Sequence, residues 1–292
     1  MSGMHRDRIR TKKRKKGRLS PRRIIQLLSA ALFNGYGIGF RNGKLFTGRS
    51  KSFCVPVLNC YSCPGALGAC PIGALQTALG GNRHVPFYVL GLMTLFGVVL
   101  GRLVCGFLCP FGLVQDLLYK IPVPKVRVPG RIDRAGKTLK YAVLAVAVIL
   151  LPAFAVTKTG IADPYFCKYI CPAGTLEGGL FHMMVNPALR ALAGALFYWK
   201  VFVLAAIIFA SMCISRPFCR YLCPLGAFYS LFNRFCFYRM YLDEAKCIGC
   251  KKCEQSCPMG VEVTKNINSP ECIRCGKCKS VCPNQAISSG LH

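Results

Sequence analysis

Long apolar stretches alternate along this chain with short segments rich in cysteine, proline and glycine. Four stretches stand out: Ile24 to Phe40, Pro86 to Val104, Leu139 to Val156 and Ala195 to Ile214. Each approaches the ~20 residues that a helix needs to cross a bilayer core. The first is the weakest, because Asn34 and three glycines, Gly35, Gly37 and Gly39, fall in its second half. Those glycines predict helix packing or a break. Arg102 and Lys200 lie near segment ends, where a long side chain can snorkel, and Pro152 interrupts the third segment. Core helices of a soluble protein would also be apolar. Four such runs with basic flanks, and a mean hydropathy of +0.40, favour membrane spans.

Charge orients those spans. The chain carries 39 basic and 10 acidic residues, a net +29. Eleven of the basic residues crowd into residues 1–23 with a single acid, Asp7. This composition predicts a solvated cytoplasmic tail lying against anionic lipid. No aromatic interleaves its charges, which argues against a nucleic-acid partner. Arg22-Arg23 ahead of an apolar run resembles a twin-arginine signal, but no small-residue cleavage site follows, so an uncleaved anchor is expected. Seven basic residues lie between Lys120 and Lys140, against five from Arg41 to His84 and three from Thr157 to Gly194. With the richest loops inside, both termini face the cytoplasm of a multi-pass inner-membrane protein.

The cysteines carry the chemistry. Cys247, Cys250, Cys253 and Cys257, followed by Pro258, form a C-x2-C-x2-C-x3-C-P run, and Cys272, Cys275, Cys278, Cys282 and Pro283 repeat it. This is the bacterial two-cluster ferredoxin pattern, in which the fourth cysteine ligates the other cluster. One [4Fe-4S] cluster is therefore assigned to Cys247, Cys250, Cys253 and Cys282, and the other to Cys272, Cys275, Cys278 and Cys257. Paired C-x2-C motifs also suit zinc, but a four-cysteine zinc site accounts for neither the doubled 3+1 run nor its two prolines.

A second pattern runs through the apolar region. Cys70, Cys109, Cys171 and Cys223 each open a C-P-x-G motif, and three of them have a cysteine four residues earlier: Cys105, Cys167 and Cys219. Cys54, Cys60 and Cys63 precede the remaining copy. On the topology above the motifs alternate between the two faces, so the chain divides into two parallel halves. A C-x3-C pair supplies two thiolates and a cluster needs four. Cys105, Cys109, Cys219 and Cys223 are thus expected to form an inner site, with structural cysteine or copper or zinc as alternatives. Cys167 and Cys171 would join some of Cys54, Cys60, Cys63 and Cys70 in an outer site. Six outer cysteines exceed one cluster's need, and their even number also allows disulfides. Cys213 and Cys236 match no motif and are expected to be apolar filler. One or two further clusters would therefore join the two of the ferredoxin domain. The four histidines are not paired within spans, so haem is not expected. Sites on opposite faces of a ~30 Å core are far apart for electron tunnelling. Either the C-P-x-G segments dip inward as re-entrant turns, or a quinone or flavin intervenes.

The C-G-F-L-C-P-F-G and C-R-Y-L-C-P-L-G motifs, each beside a span and followed by the doubled ferredoxin run, resemble the NapH/NosR family of membrane-bound polyferredoxins. The resemblance covers roughly residue 20 to the end. It implies four spans, cytoplasmic clusters, and electron transfer between membrane or cytoplasm and an outer acceptor, with quinol oxidation in NapH-like members. The chain departs from simple NapH proteins in its outer cysteines and lacks the flavin-binding domain of NosR. The fold expected is an α-helical integral membrane protein with about four transmembrane helices and a two-fold internal repeat, closed by an α+β 2[4Fe-4S] ferredoxin domain. Its parts are a tail (1–23), a membrane domain (24–240) and the ferredoxin domain (241–292). Three functions suit it: an electron carrier, a quinol-oxidising subunit of a respiratory reductase system, or a redox- or metal-sensing accessory for maturation of another enzyme. The expected partners are lipid, a soluble donor such as a ferredoxin or flavoprotein, and an extracytoplasmic flavoprotein or reductase. Lys251, Lys252, Arg274, Lys277 and Lys279 are expected to stabilise reduced clusters and attract acidic partners. No P-loop, catalytic triad or dinucleotide fingerprint accompanies these motifs.

Overall fold

The computed structural model describes residues 20–81, 85–155, 162–191 and 193–291. The basic tail, up to residue 19, lies outside the described residues. The first apolar stretch is split: α1 (Pro21–Phe33) ends at Asn34, and α2 (Gly37–Asn42) starts just beyond. The break lets Gly39 pass another chain segment, since a Cβ there would sit 2.4 Å from the Pro64 carbonyl oxygen. The burial of α1 is inverted relative to a soluble helix. Gln26 and Ser29 face inward, while Leu28 and Leu32 are 65% and 69% exposed.

Residues 53–70 form a loop that is buried over much of its length, with Phe53 and Tyr61 left exposed. Val57, Leu58, Asn59, Cys63 and Ala66 are all inaccessible or nearly so. An isolated bridge between Cys54 and Ala69 ties its base: Val55 N–H donates to Ala69 O at 3.0 Å and Ala69 N–H to Phe53 O at 2.9 Å. The loop feeds α3 (Pro71–Gly81). Next, α4 (Phe87–Leu100) ends at Gly101, whose positive φ of 56° turns the chain into α5 (Leu103–Phe107) and then α6 (Pro110–Leu118).

Two helices among the described residues are long and apolar enough to cross a membrane by length and composition: α7 (Gly130–Phe154, 25 residues) and a later one, Ala195–Cys213 (19 residues). Between them α8 covers residues 172–185. The Ala195–Cys213 helix, α9, leads into α10 (Pro217–Tyr221) and α11 (Pro224–Phe232). By contrast α1 and α4, at 13 and 14 residues, are about 20 Å long, short of a ~30 Å hydrocarbon core.

The ferredoxin fold is closed by an antiparallel ribbon, β1 (Tyr238–Leu242) with β2 (Ile287–Leu291), in register from Tyr238↔Leu291 to Leu242↔Ile287. Its short helices are α12 (Lys252–Ser256) and α13 (Lys277–Val281). This fold does not hang from the helical part as a separate bead. One apolar cluster runs from Val57 and Leu58 through Met93, Phe111 and Tyr229 to Met259 and Ile273.

Candidate iron–sulfur sites

In the ferredoxin fold, Cys247, Cys250, Cys253 and Cys282 line one cavity. Cys257, Cys272, Cys275 and Cys278 form a second group. Burial, followed by the charges of Cys272, Cys275 and Cys257, pushes the Cys278 thiol up to about 12, and burial likewise raises Cys272 to about 11. Cys282 thus lies beside the first cysteine loop and Cys257 beside the second. Both C-x2-C loops bend alike: Gly249 and Lys251 flank Cys250 with positive φ, as Arg274 and Gly276 flank Cys275. Such left-handed turns aim successive backbone N–H groups inward, an arrangement that favours anionic ligands.

The C-P-x-G motif has a physical explanation. In each copy the cysteine precedes a helix that begins at the proline: Cys70 before α3, Cys109 before α6, Cys171 before α8 and Cys223 before α11. Proline fits this first position because its missing N–H would have no helical partner. The glycine N–H then donates to the sulfur, at 3.5 Å for Gly174 to Cys171 and 3.3 Å for Gly226 to Cys223. A thiolate so placed meets the positive end of the helix.

Cys105, Cys109, Cys219 and Cys223 come together around one small cavity, which Pro56, Val57 and Leu58 also line. We call them the near set, because they adjoin the ferredoxin fold. Two buried arginines clasp the set crosswise. Arg102 Nη2 donates to Cys219 O at 3.0 Å, and Arg216 Nη1 to Cys105 O at 2.7 Å. Arg102 is fully buried and does not snorkel. Each guanidinium holds a carboxylate that a second cation shares: Asp116 with Arg22, and Glu271 with Lys140. Burial alone would raise Asp116, but the Arg216 and Arg22 guanidiniums hold it below the usual carboxylate range. Gln115 completes the set, donating to Cys219 Sγ at 3.1 Å and accepting from Phe218 N–H at 3.2 Å.

The far set is Cys60, Cys70, Cys167 and Cys171. Burial, then the neighbouring Cys70 and Cys60 charges, pushes the Cys167 thiol up to about 12. Cys171 is raised well above its ordinary value by burial, then by Cys167 and Cys60. Gly174 lies beside both sulfurs, since a Cβ there would be in ordinary contact with Cys60 Sγ at 3.6 Å and Cys171 Sγ at 3.9 Å. Gln76 plays the part of Gln115, donating to Cys167 Sγ at 3.3 Å and accepting from Phe166 N–H at 2.9 Å. Cys63 adjoins Cys60, but its Sγ turns to Asn34 Oδ1 at 3.4 Å, and Cys54 sits in the bridge to Ala69. All twenty cysteines are described, and all are free thiols. Among the described residues, no three His, Cys, Asp or Glu side chains converge closely enough to hold a single metal ion.

The sites adjoin one another. Gly106, next to Cys105, packs on Ile273, next to Cys272, so tightly that a Cβ on Gly106 would lie 2.4 Å from Ile273 O. Leu58 lines the near cavity while Cys60 belongs to the far set, and two residues span at most about 7 Å of chain. Tyr229, fully buried, donates to Pro56 O at 3.0 Å, and burial, then charge on Cys105 and Cys70, pushes its hydroxyl up. Arg274, expected at the surface, is buried and instead bonds Leu100 O and Asn233 O at 2.8 and 2.7 Å. Cys236 Sγ receives the same guanidinium at 2.8 Å, so this cysteine belongs to the domain junction.

The doubled ferredoxin run, with further groups of thiols packed beside it, marks a protein built to hold iron–sulfur clusters. Comparison with known families agrees. A 4Fe-4S binding domain matches residues 84–129, 144–187 and 196–239, each stretch carrying one C-x3-C-P pair, and a 4Fe-4S dicluster domain matches residues 239–283. An uncharacterized protein of Methanocaldococcus jannaschii is 31% identical over 188 residues, 62% of this chain and 69% of the relative. The methylamine utilization ferredoxin-type protein MauN of Paracoccus denitrificans is 30% identical over 199 residues, 66% of this chain and 62% of MauN. The regulatory protein NosR of Pseudomonas aeruginosa is 27% identical over 158 residues, 52% of this chain but 19% of NosR. The chain belongs to this family of ferredoxin-type iron–sulfur electron-transport proteins. No solved structure matches it.

Proposed function

We propose that this chain is a membrane-embedded electron conductor with four [4Fe-4S] clusters. The ligands are Cys247, Cys250, Cys253 and Cys282; Cys257, Cys272, Cys275 and Cys278; the near set; and the far set. When bound, such clusters supply one-electron oxidation and reduction. The observation that carries the reading is the adjacency of the sets, through Gly106 on Ile273 and through Leu58 and Tyr229. It removes the need for a quinone or flavin between the two membrane sites. At one end Cys250 is exposed beside Lys246, Lys251 and Lys252, a surface suited to an acidic soluble donor or acceptor. At the other end the far set would serve an extracytoplasmic flavoprotein or reductase.

The membrane arrangement belongs to the same proposal. Four crossings, with both termini on the cytoplasmic side of the inner membrane, would use α7 and α9 as full spans and α1–α2 and α4–α5 as broken ones. Support comes from how the ends are held. Arg22 bonds Gly106 O at 2.9 Å, Leu100 O accepts from Arg274, and Lys140 meets Glu271, all on the ferredoxin side. Phe33 O and Trp199 lie by the far-set loops, bonded to Asn59 and Tyr169. Apolar side chains such as Phe87 and Phe154, each about four-fifths exposed, face outward as they would toward lipid.

The test is electron flow in vesicles containing the full chain, with a low-potential reductant on one side and an impermeant acceptor dye on the other. Flow without added quinone, lost in Cys223→Ser and in Cys171→Ser, is the expected result. Flow that persists in both variants, or that requires quinol, would overturn the proposal.

A further inference from the structure

The near and far sets share one hydrogen-bonding design, against which their difference in charge stands out. Each has a glutamine donating to the first cysteine of the second half, Gln115 to Cys219 and Gln76 to Cys167. Each has glycine N–H groups on the C-P-x-G sulfurs, at 3.3 Å in the near set and 3.5 Å in the far set. Cys109, Cys223, Cys70 and Cys171 are all buried. Hydrogen bonding, one of the levers that set a cluster's potential, is matched here; solvent exposure is not, since Cys60 and Cys167 are partly exposed while all four near-set thiols are buried.

Charge is not matched. Around the near set stand four cations and two anions: Arg102 and Lys140 on Glu271, and Arg216 and Arg22 on Asp116. Both arginines touch the site itself. A Cβ on Gly112 would lie 3.2 Å from Arg216 Nη2, and one on Gly226 would lie 3.2 Å from Arg102 Nη2. Among the described residues, no guanidinium donates to a far-set cysteine carbonyl in this way. Glu177 stands against the far set, its Oε2 accepting the Cys60 N–H at 2.8 Å. Lys200 acts more weakly on Cys60 and Cys167, and Lys51 adjoins Cys63 and Cys60 with its Nζ buried and without a hydrogen-bond partner. Adding an electron adds negative charge, which nearby guanidiniums stabilise; burial pushes the Glu177 carboxyl up to about 7, so it opposes the electron to the extent that it is ionised.

We infer that the near set is poised at a higher reduction potential than the far set, with Arg102 and Arg216 as the residues that raise it. This rests on the reading above, that both sets hold clusters. The exchange moves one electron: one site is oxidised as the other is reduced, and no bond breaks. An electron shared between them therefore comes to rest on the near set, and forward delivery to an outer acceptor needs that acceptor, or a more reducing donor, to draw it on.

The test is an EPR-monitored redox titration of the anaerobically purified full chain, with the two signals assigned by their loss in Cys109→Ser and Cys171→Ser. The near-set midpoint is expected above the far-set midpoint. Arg216→Gln should lower the near-set midpoint and leave the far one in place, Arg216→Lys should recover part of the shift, and Glu177→Gln should raise the far-set midpoint. A far-set midpoint equal to or above the near one would overturn the inference. So would an Arg216→Gln protein with an unmoved near-set midpoint. If the arginine variants fail to fold, the wild-type order and Glu177→Gln still decide. Loss of neither signal nor iron in the cysteine variants would refute the four-cluster reading and the inference with it.

Discussion

Replacing Gly106 with alanine attacks the contact at which the ferredoxin fold meets the near set. A Cβ at this position would lie 2.4 Å from Ile273 O and 3.7 Å from Ile273 Cβ. Helix α5 cannot simply withdraw, because Gly106 O accepts from Arg22 Nε at 2.9 Å and from Gln26 Nε2 at 3.1 Å. The Cys272–Cys275 loop is held as well, by Asn233 Nδ2 on Cys272 O at 2.9 Å and by the Arg274 guanidinium. Restoring ordinary contact requires a shift of about 1 Å, and overpacking of this kind costs roughly 1–3 kcal/mol. Gly106→Ala should therefore lower the melting temperature by several degrees and slow electron passage from the ferredoxin clusters to the near set, read by freeze-quench EPR after a reductant pulse. Gly130→Ala is the control, since a Cβ there meets nothing within 4 Å. If Gly106→Ala melts and conducts like Gly130→Ala, the account of this junction is wrong.

Other perturbations have equally definite outcomes. Glu271→Gln leaves Arg102 and Lys140 without their shared carboxylate in a buried site, and should cost about 3–5 kcal/mol in chemical denaturation. Tyr229→Phe removes the bond to Pro56 O and should cost about 1 kcal/mol while keeping full iron content. Loss of iron in that variant would show that the hydroxyl shapes the sites themselves. Asp116 has a depressed pKa in the folded protein, so its contribution is present above the ordinary carboxylate value of ~3.9 and disappears as pH falls through the depressed one. Asp116→Asn should accordingly lose stability at neutral pH and show a flatter acid limb in melting temperature against pH.

What the sequence revealed depended on how local the information was. The ferredoxin ligands were legible because three of each four lie within one short loop, and the crossing of Cys257 and Cys282 follows from that spacing. The near set was legible because two C-x3-C pairs sum to four thiols. The far set was only half legible. Cys60 and Cys70 are separated by a loop whose path depends on tertiary burial, and no spacing distinguishes Cys60 from Cys63. The supporting residues were missed although they stand at fixed offsets. Arg102 and Arg216 each lie three residues before the first cysteine of a pair, and Gln76 and Gln115 each lie six after a C-P-x-G cysteine. Arg102 was taken for a snorkelling end charge because its partners, Glu271 and Cys219 O, are more than a hundred residues away. The broken first and second segments have the same origin. Hydropathy measures how apolar a stretch is, whereas the close passage of Gly39 against Pro64 and the turn at Gly101 belong to the packed chain.

Iron and acid-labile sulfide per polypeptide, measured on the anaerobically purified full chain, test the four-site account most directly. Four cubane clusters require about sixteen irons and as many sulfides per chain, whereas about eight of each would mean that only the ferredoxin fold is loaded and that the near and far thiols hold no clusters.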